Sequence, residues 1–161
     1  DVLEKDIALY LEAVMTVANA DILPLDWRAT AAEFAGTISD YQKAAGDRFD
    51  LSSAAHASSD LQAALDRFHT ALDTGDIAAD RANTVLKGLA RVLVPINYTR
   101  GPRFTHDPAL NVPPLPAIAS AAEMDNVEAN NMGFVQAQLL RGRNRVVAAL
   151  RDATRMVESV L

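Results

Sequence analysis

Three histidines are the side chains of this sequence best suited to move protons or bind metal near neutral pH, and their spacing bounds the chemistry available. His56 and His69 stand thirteen residues apart, which on a helix turns them about 220° from one another around the axis. They cannot share one ion without a partner chain, so both are read as structural or solvent-facing. His106 differs, because Asp107 follows it in a proline-rich stretch, and a carboxylate beside an imidazole fixes its tautomer and raises its pKa. Bracing a loop is its plain role and proton transfer its sharper one. No HExxH, GxSxG, P-loop, GxGxxG or EF-hand spacing occurs. Asp73-Thr74-Gly75-Asp76 lacks the alternating oxygens and distal glutamate of a calcium loop and reads as a turn between helices. With no cysteine there is no thiol nucleophile, thiolate zinc site or disulfide, and nothing from which to read a redox compartment. The expectation is a chain with no catalytic residue and no metal ligand set of its own.

Arginine supplies the other concentrated chemistry. From Val135 to Leu161 five arginines (141, 143, 145, 151 and 155) face only Asp152 and Glu158, giving +3 locally and leaving −9 on the rest. On a helix these guanidiniums form either a solvated face or a set of forks for carboxylates on another domain or subunit. Arg141, Arg145, Arg151 and Arg155 are the interface candidates. Gly142, Ala148, Ala149 and Ala153 would let a second helix approach closely, or tune packing within the chain.

The elements that must position these residues are helical. The composition includes 30 alanines against 7 glycines and 7 prolines, and alanine loses no side-chain entropy on coiling. Leu3, Ile7, Leu11, Val14, Val17 and Ala18 recur at steps of three and four, predicting a first helix that stops before Pro24. Asp26 is placed to cap a second, carrying Trp27, Ala31, Phe34, Ala35, Ile38 and Tyr41 on one stripe and stopping at Gly46. Ser52 or Ser53 caps a third, with Leu61, Ala64, Leu65, Phe68 and Leu72 inward and an end at Thr74-Gly75. Asp76 starts a fourth, with Val85, Leu89, Val92 and Leu93 inward, and Pro95 ends it. The last runs from about Phe134 to the end through Val135, Leu139, Gly142, Val146, Ala149, Leu150, Ala153, Val157 and Val160, close to a 3.5-residue seam.

Six of the seven prolines fall between Pro95 and Pro116, so no long helix crosses that stretch. It carries Ile96, Tyr98, Phe104, Leu110, Val112 and Leu115, too many apolar anchors for a solvated linker, and is expected to drape over a surface. A short helix from Pro116 to Met124 with Leu115, Ile118 and Ala122 packing down, then a turn over Asp125 to Asn131, completes the chain.

The 161 residues suit one domain, half of them apolar and 22% charged. No apolar run reaches the roughly 18 residues of a membrane span. A net charge of −6 makes the whole molecule repel nucleic acid and anionic lipid. The opening run Asp1-Val2-Leu3-Glu4-Lys5-Asp6 is unlike a signal peptide and reads as the start of a processed or excised segment.

The order of these features resembles a known family. Ala18-Asn19-Ala20-Asp21-Ile22-Leu23-Pro24-Leu25-Asp26 is similar to the "LAN-x-x-x-LPFD" turn that begins the transferrin-receptor-like dimerisation domain, the C-terminal helical domain of glutamate carboxypeptidase II-like zinc peptidases. Leu115-Pro116-Ala117-Ile118 resembles the family's "(F/L)PG(I/L)" or "LPAL" step, and Arg103-Phe104-Thr105-His106 its "F-x-R-H" approach. Val135 to Val157 resembles its final helix, with Gln138 at the usual glutamine. The likeness covers the chain from about Leu9 onward.

What the resemblance implies is an all-α, four-helix up-and-down bundle over residues 1–161, with a long proline-rich loop and a short helix inserted before the last helix. In such proteins the domain forms much of a homodimer contact, packs on its own upstream peptidase domain and lends its loop to the wall of the substrate cleft. Tyr98, Arg103 and His106 are then the candidates for facing that cleft. The zinc and its ligands would belong to the peptidase domain, a carboxypeptidase or aminopeptidase, and this chain alone would not be an enzyme. An extracytoplasmic location follows from the family resemblance only. Glutamate carboxypeptidase grips the terminal glutamate with a Lys-Tyr pair before the "FPG(I/L)" step, whereas Asp107 to Pro114 is shorter and contains neither residue, so that specificity does not carry over. Two alternatives differ in class: a free-standing helical module binding a small molecule or protein, and part of a non-catalytic receptor-like homologue.

Overall fold

The structure, a computed structural model, describes residues 1–101, 104 and 111–161. Every regular element among them is helical: α1 (Val2–Asn19), α2 (Arg28–Ala45), α3 (Ser52–Asp73), α4 (Ala79–Tyr98) and α5 (Ala129–Glu158), with 3₁₀ turns at Gly46–Arg48 and Ala119–Asn126. Helix α3 packs on α2 on one side and on α5 on the other, α4 packs on α5, and the Ala119–Asn126 turn lies against α2.

Helices α2 and α3 follow from their stripes. Ala31, Phe34 and Ile38 of α2, and Leu61, Ala64, Leu65 and Phe68 of α3, are fully buried. Gly46 ends α2 with φ of 54°, and Gly75 follows α3 with φ of 78°, a left-handed region in which a Cβ is costly. In both helices the carboxylate that serves the N-terminus sits one residue ahead of the cap position, at the expected Asp26 in α2 and at Asp50 rather than a serine in α3. Trp27 occupies the cap position of α2, and the Asp26 carboxylate accepts the Arg28 backbone N–H at 2.9 Å. Leu51 precedes α3, and Asp50 accepts the Ser52 N–H at 2.8 Å, so neither Ser52 nor Ser53 caps that helix. Negative charge at these N-termini also suits the helix dipole.

Several boundaries differ from expectation. Helix α4 starts at Ala79 rather than Asp76 and continues past Pro95 to Tyr98. A proline removes a single ladder donor, and near the end of a helix the extra turn is repaid by burying Ile96 and Asn97. Helix α5 starts at Ala129 rather than about Phe134, absorbing the last three residues, 129–131, of the expected asparagine-rich turn. The short helix is 3₁₀ over Ala119–Asn126, with Ala121 and Met124 buried and Ala122 exposed; Leu115 and Ile118 are buried as expected. Of the expected anchors, Ile96 and Leu115 are buried, Val112 is half-buried, Tyr98 and Phe104 are exposed, and Leu110 lies outside the described residues.

Helix α1 forms where it is expected and stops before Pro24. Its apolar spacing makes a helix, yet none of its residues is buried. Exposure runs from 74% at Val2 and 72% at Tyr10 to 49% at Val17. Periodicity reports that a helix has an apolar face and is silent on what covers it. The connection after α1, by contrast, is fastened. Asn83 on α4 accepts the Leu23 N–H at 2.8 Å and donates to the Asp21 carbonyl at 2.9 Å, and Trp27 Nε1 donates to the Leu86 carbonyl at 3.2 Å.

Candidate functional site

A groove of about 910 Å³ lies between α5, Tyr41 of α2, Arg100 just beyond α4 and the segment from Pro113 to Glu123. Its floor depends on Gly142. A Cβ there would sit 1.9 Å from the Ala117 carbonyl oxygen, so only glycine lets that backbone lie directly on α5. The close approach expected of Gly142 is therefore used within the chain.

Three further contacts fix the walls. Buried Asn97 accepts the Leu115 N–H at 3.2 Å, holding Leu115 at a φ of 47°, a conformation that costs a non-glycine residue roughly 1–2 kcal/mol. Tyr41 donates its hydroxyl to the Pro114 carbonyl at 2.7 Å, and partial burial pushes its phenol pKa up. Arg145, half-buried, donates to Thr99 Oγ1 at 2.8 Å and to the Arg100 carbonyl at 2.9 Å, tying the chain beyond α4 to α5. Arg100, Arg141 and Arg145 line the groove with Glu123, Gln138 and Ser120.

The arginines of α5 thus divide. Arg141 and Arg145 are four residues apart on one face and reach the groove. Arg143 donates to the Asp50 carbonyl at 2.8 Å and stacks 5.4 Å from the Phe49 ring centre, a cation–π distance. The Ser52 backbone N–H, then the Ser52 hydroxyl and more weakly the Arg143 guanidinium hold the Asp50 carboxyl below its ordinary pKa. Arg151 is exposed, and Arg155 pairs with Asp152. Of the cleft candidates, Tyr98 is 65% exposed at the last position of α4 and outside the groove lining, while Arg103 and His106 lie outside the described residues.

His56 is exposed on α3, and His69, largely covered, puts Nε2 3.3 Å from Asp26 Oδ1. The Arg28 guanidinium, donating to both Asp26 oxygens, holds that carboxyl down at about 2. A carboxylate so stabilised is an ion-pair anchor and a poor base at neutral pH. Among the described residues no group of three His, Asp or Glu is placed to hold a metal ion, and no helix is long and apolar enough to cross a membrane.

Sequence reasoning missed Arg100, Glu123, Ser120 and Tyr41 as groove residues. The available signal was Arg141 and Arg145 flanking Gly142, two cations one turn apart around a position with no side chain. Compared with known proteins, the chain matches no family model, no curated protein and no solved structure.

Proposed function

We propose that this chain is the homodimerisation and interdomain-packing domain of a larger zinc-dependent exopeptidase-like protein, of the transferrin-receptor-like kind. In this reading α2 to α5 are an up-and-down four-helix bundle, the proline-rich stretch after α4 helps wall a substrate cleft, and the partners are the protein's own peptidase domain and a second copy. Zinc and the reacting groups belong to the peptidase domain, and this chain is catalytically inert.

The observation that carries the reading is α1. Leu3, Ile7, Leu11 and Val14 line one side, Leu9 and Val2 point to the other, and all are more than half exposed. A helix apolar on more than one side is one built for burial. Covering its nine large apolar side chains, at about 1.5–3 kcal/mol for full burial of each, is worth on the order of 10 kcal/mol. An exposed apolar surface of this kind marks a contact with neighbouring polypeptide.

The test is hydrogen exchange on α1 in the 161-residue chain and in the same chain joined to the segment its reading frame encodes ahead of Asp1. The expected result is strong protection of Ile7 to Val17 in the longer protein alone, with paired His, Asp and Glu ligands of a two-zinc centre in the added segment. Equally fast exchange in both, a longer protein that sediments only as monomer, or peptide hydrolysis by the 161-residue chain with added zinc, overturns it.

A further inference from the structure

We infer that the groove between α5 and the Pro113 to Glu123 segment is a binding site for a small polyanion, a molecule bearing two or more carboxylate or phosphate groups. The inference stands on the groove alone and is independent of the peptidase reading.

The charge is the first ground. Three guanidiniums, Arg100, Arg141 and Arg145, line a single concavity whose one carboxylate among the described residues is Glu123, in a protein whose net charge is −6. Neither Arg100 nor Arg141 has an ion-pair partner among the described residues. The lining stretch from Pro113 to Ala122 carries no acid, and the lining stretch of α5 from Gln138 to Arg145 carries none either. Like charges gathered in this way repel one another, and a bound dianion removes that cost while giving the planar forks of Arg100 and Arg141 an acceptor.

The second ground is rigidity. Arg145 already spends two donors on Thr99 Oγ1 and the Arg100 carbonyl, which sets both its own fork and the start of the Arg100 side chain. The opposite wall is held by the Tyr41 bond to Pro114, the Asn97 bond to Leu115 and the glycine contact with Ala117. A site whose donors are held before the ligand arrives loses less freedom on binding. The volume of about 910 Å³ suits a small organic anion, and Gln138 and Ser120 add neutral donors beside the arginines. Pro116, Ala117 and Ala119 offer a short apolar strip for the body of the ligand.

Calorimetric titration of the 161-residue chain at pH 7 and low ionic strength tests this with citrate and pyrophosphate, acetate serving as the single-charge control. One of the two polyanions binds saturably at one site per chain, and acetate at the same concentration does not; the tighter of the two assigns the site to carboxylates or to phosphates. Arg141→Gln and Arg100→Gln, both exposed side chains whose loss spares the fold, each weaken binding about tenfold or more, as loss of a charge-assisted hydrogen bond does. Arg155→Gln, on the same helix but paired with Asp152, leaves the affinity unchanged. No saturable heat from either polyanion up to about 10 mM, or an Arg155→Gln chain weakened as much as Arg141→Gln, overturns the inference.

Discussion

Replacing Gly142 by alanine sets two effects of opposite sign against each other, and the structure decides between them. Alanine in a helix interior is favoured over glycine by about 1 kcal/mol. At this position, however, the new Cβ would lie 1.9 Å from the Ala117 oxygen and 2.7 Å from its carbonyl carbon, against the 3.4 Å at which contact becomes ordinary. The obstacle is backbone, so no rotamer change relieves it. The Leu115 to Ile118 segment has to lift by roughly 1.5 Å, loosening two side chains that are now fully buried. Overpacking of this kind costs about 1–3 kcal/mol, and the backbone partner puts it at the upper end. The net loss is then about 2 kcal/mol, or a fall in Tm of roughly 4–8 °C for a chain of this size. Urea denaturation of Gly142→Ala beside Gly36→Ala is the assay. Gly36 lies in α2 with nothing within 4 Å of a new Cβ, so that variant gains about 0.5–1 kcal/mol. A Gly142→Ala chain as stable as the parent would refute the close packing of Ala117 on α5.

Two further outcomes are expected. Leu11→Gln on exposed α1 changes stability of the 161-residue chain by no more than about 0.5 kcal/mol, while Phe34→Ala in the core costs about 3–5 kcal/mol by the same denaturation assay; equal losses would mean that α1 is part of the core. The Asp26 carboxyl, followed by NMR, titrates near 2 and returns toward 3.8 in Arg28→Gln, since the Arg28 fork is the chief cause of the shift. Because this folded pKa lies below the unfolded value, its contribution to stability is complete above about pH 4 and is lost as pH falls through about 2, and solvent exposure keeps it small.

Local patterns carried α2 and α3 from sequence to structure, since the stripes of Phe34 and Ile38, and of Leu61, Leu65 and Phe68, report burial directly through helical spacing, and Gly46 and Gly75 mark turns only glycine makes easily. Pro95 misled because a proline forbids a helix interior more strongly than its last turn, and the tertiary benefit of burying Asn97 lies outside any local window. The exposure of α1 was hidden for a different reason: its spacing describes a surface, and burial is a property of two surfaces. The groove was the least legible feature. Arg100, Glu123 and Arg141 are far apart in sequence, and they meet only because Gly142 admits the Ala117 carbonyl and Asn97 turns the chain at Leu115. Arg103 and His106, the sharpest chemical candidates in the sequence, lie outside the residues the structure describes.

The double grip of Asn83 on the peptide units flanking Ile22 makes α1 an indexed shaft. One residue inserted between Asn19 and Asp21 would either slacken that grip or, if taken up by the helix, swing every side chain on the shaft by about 100° and advance it by about 1.5 Å. The azimuth of the shaft is thus set by a single amide on α4.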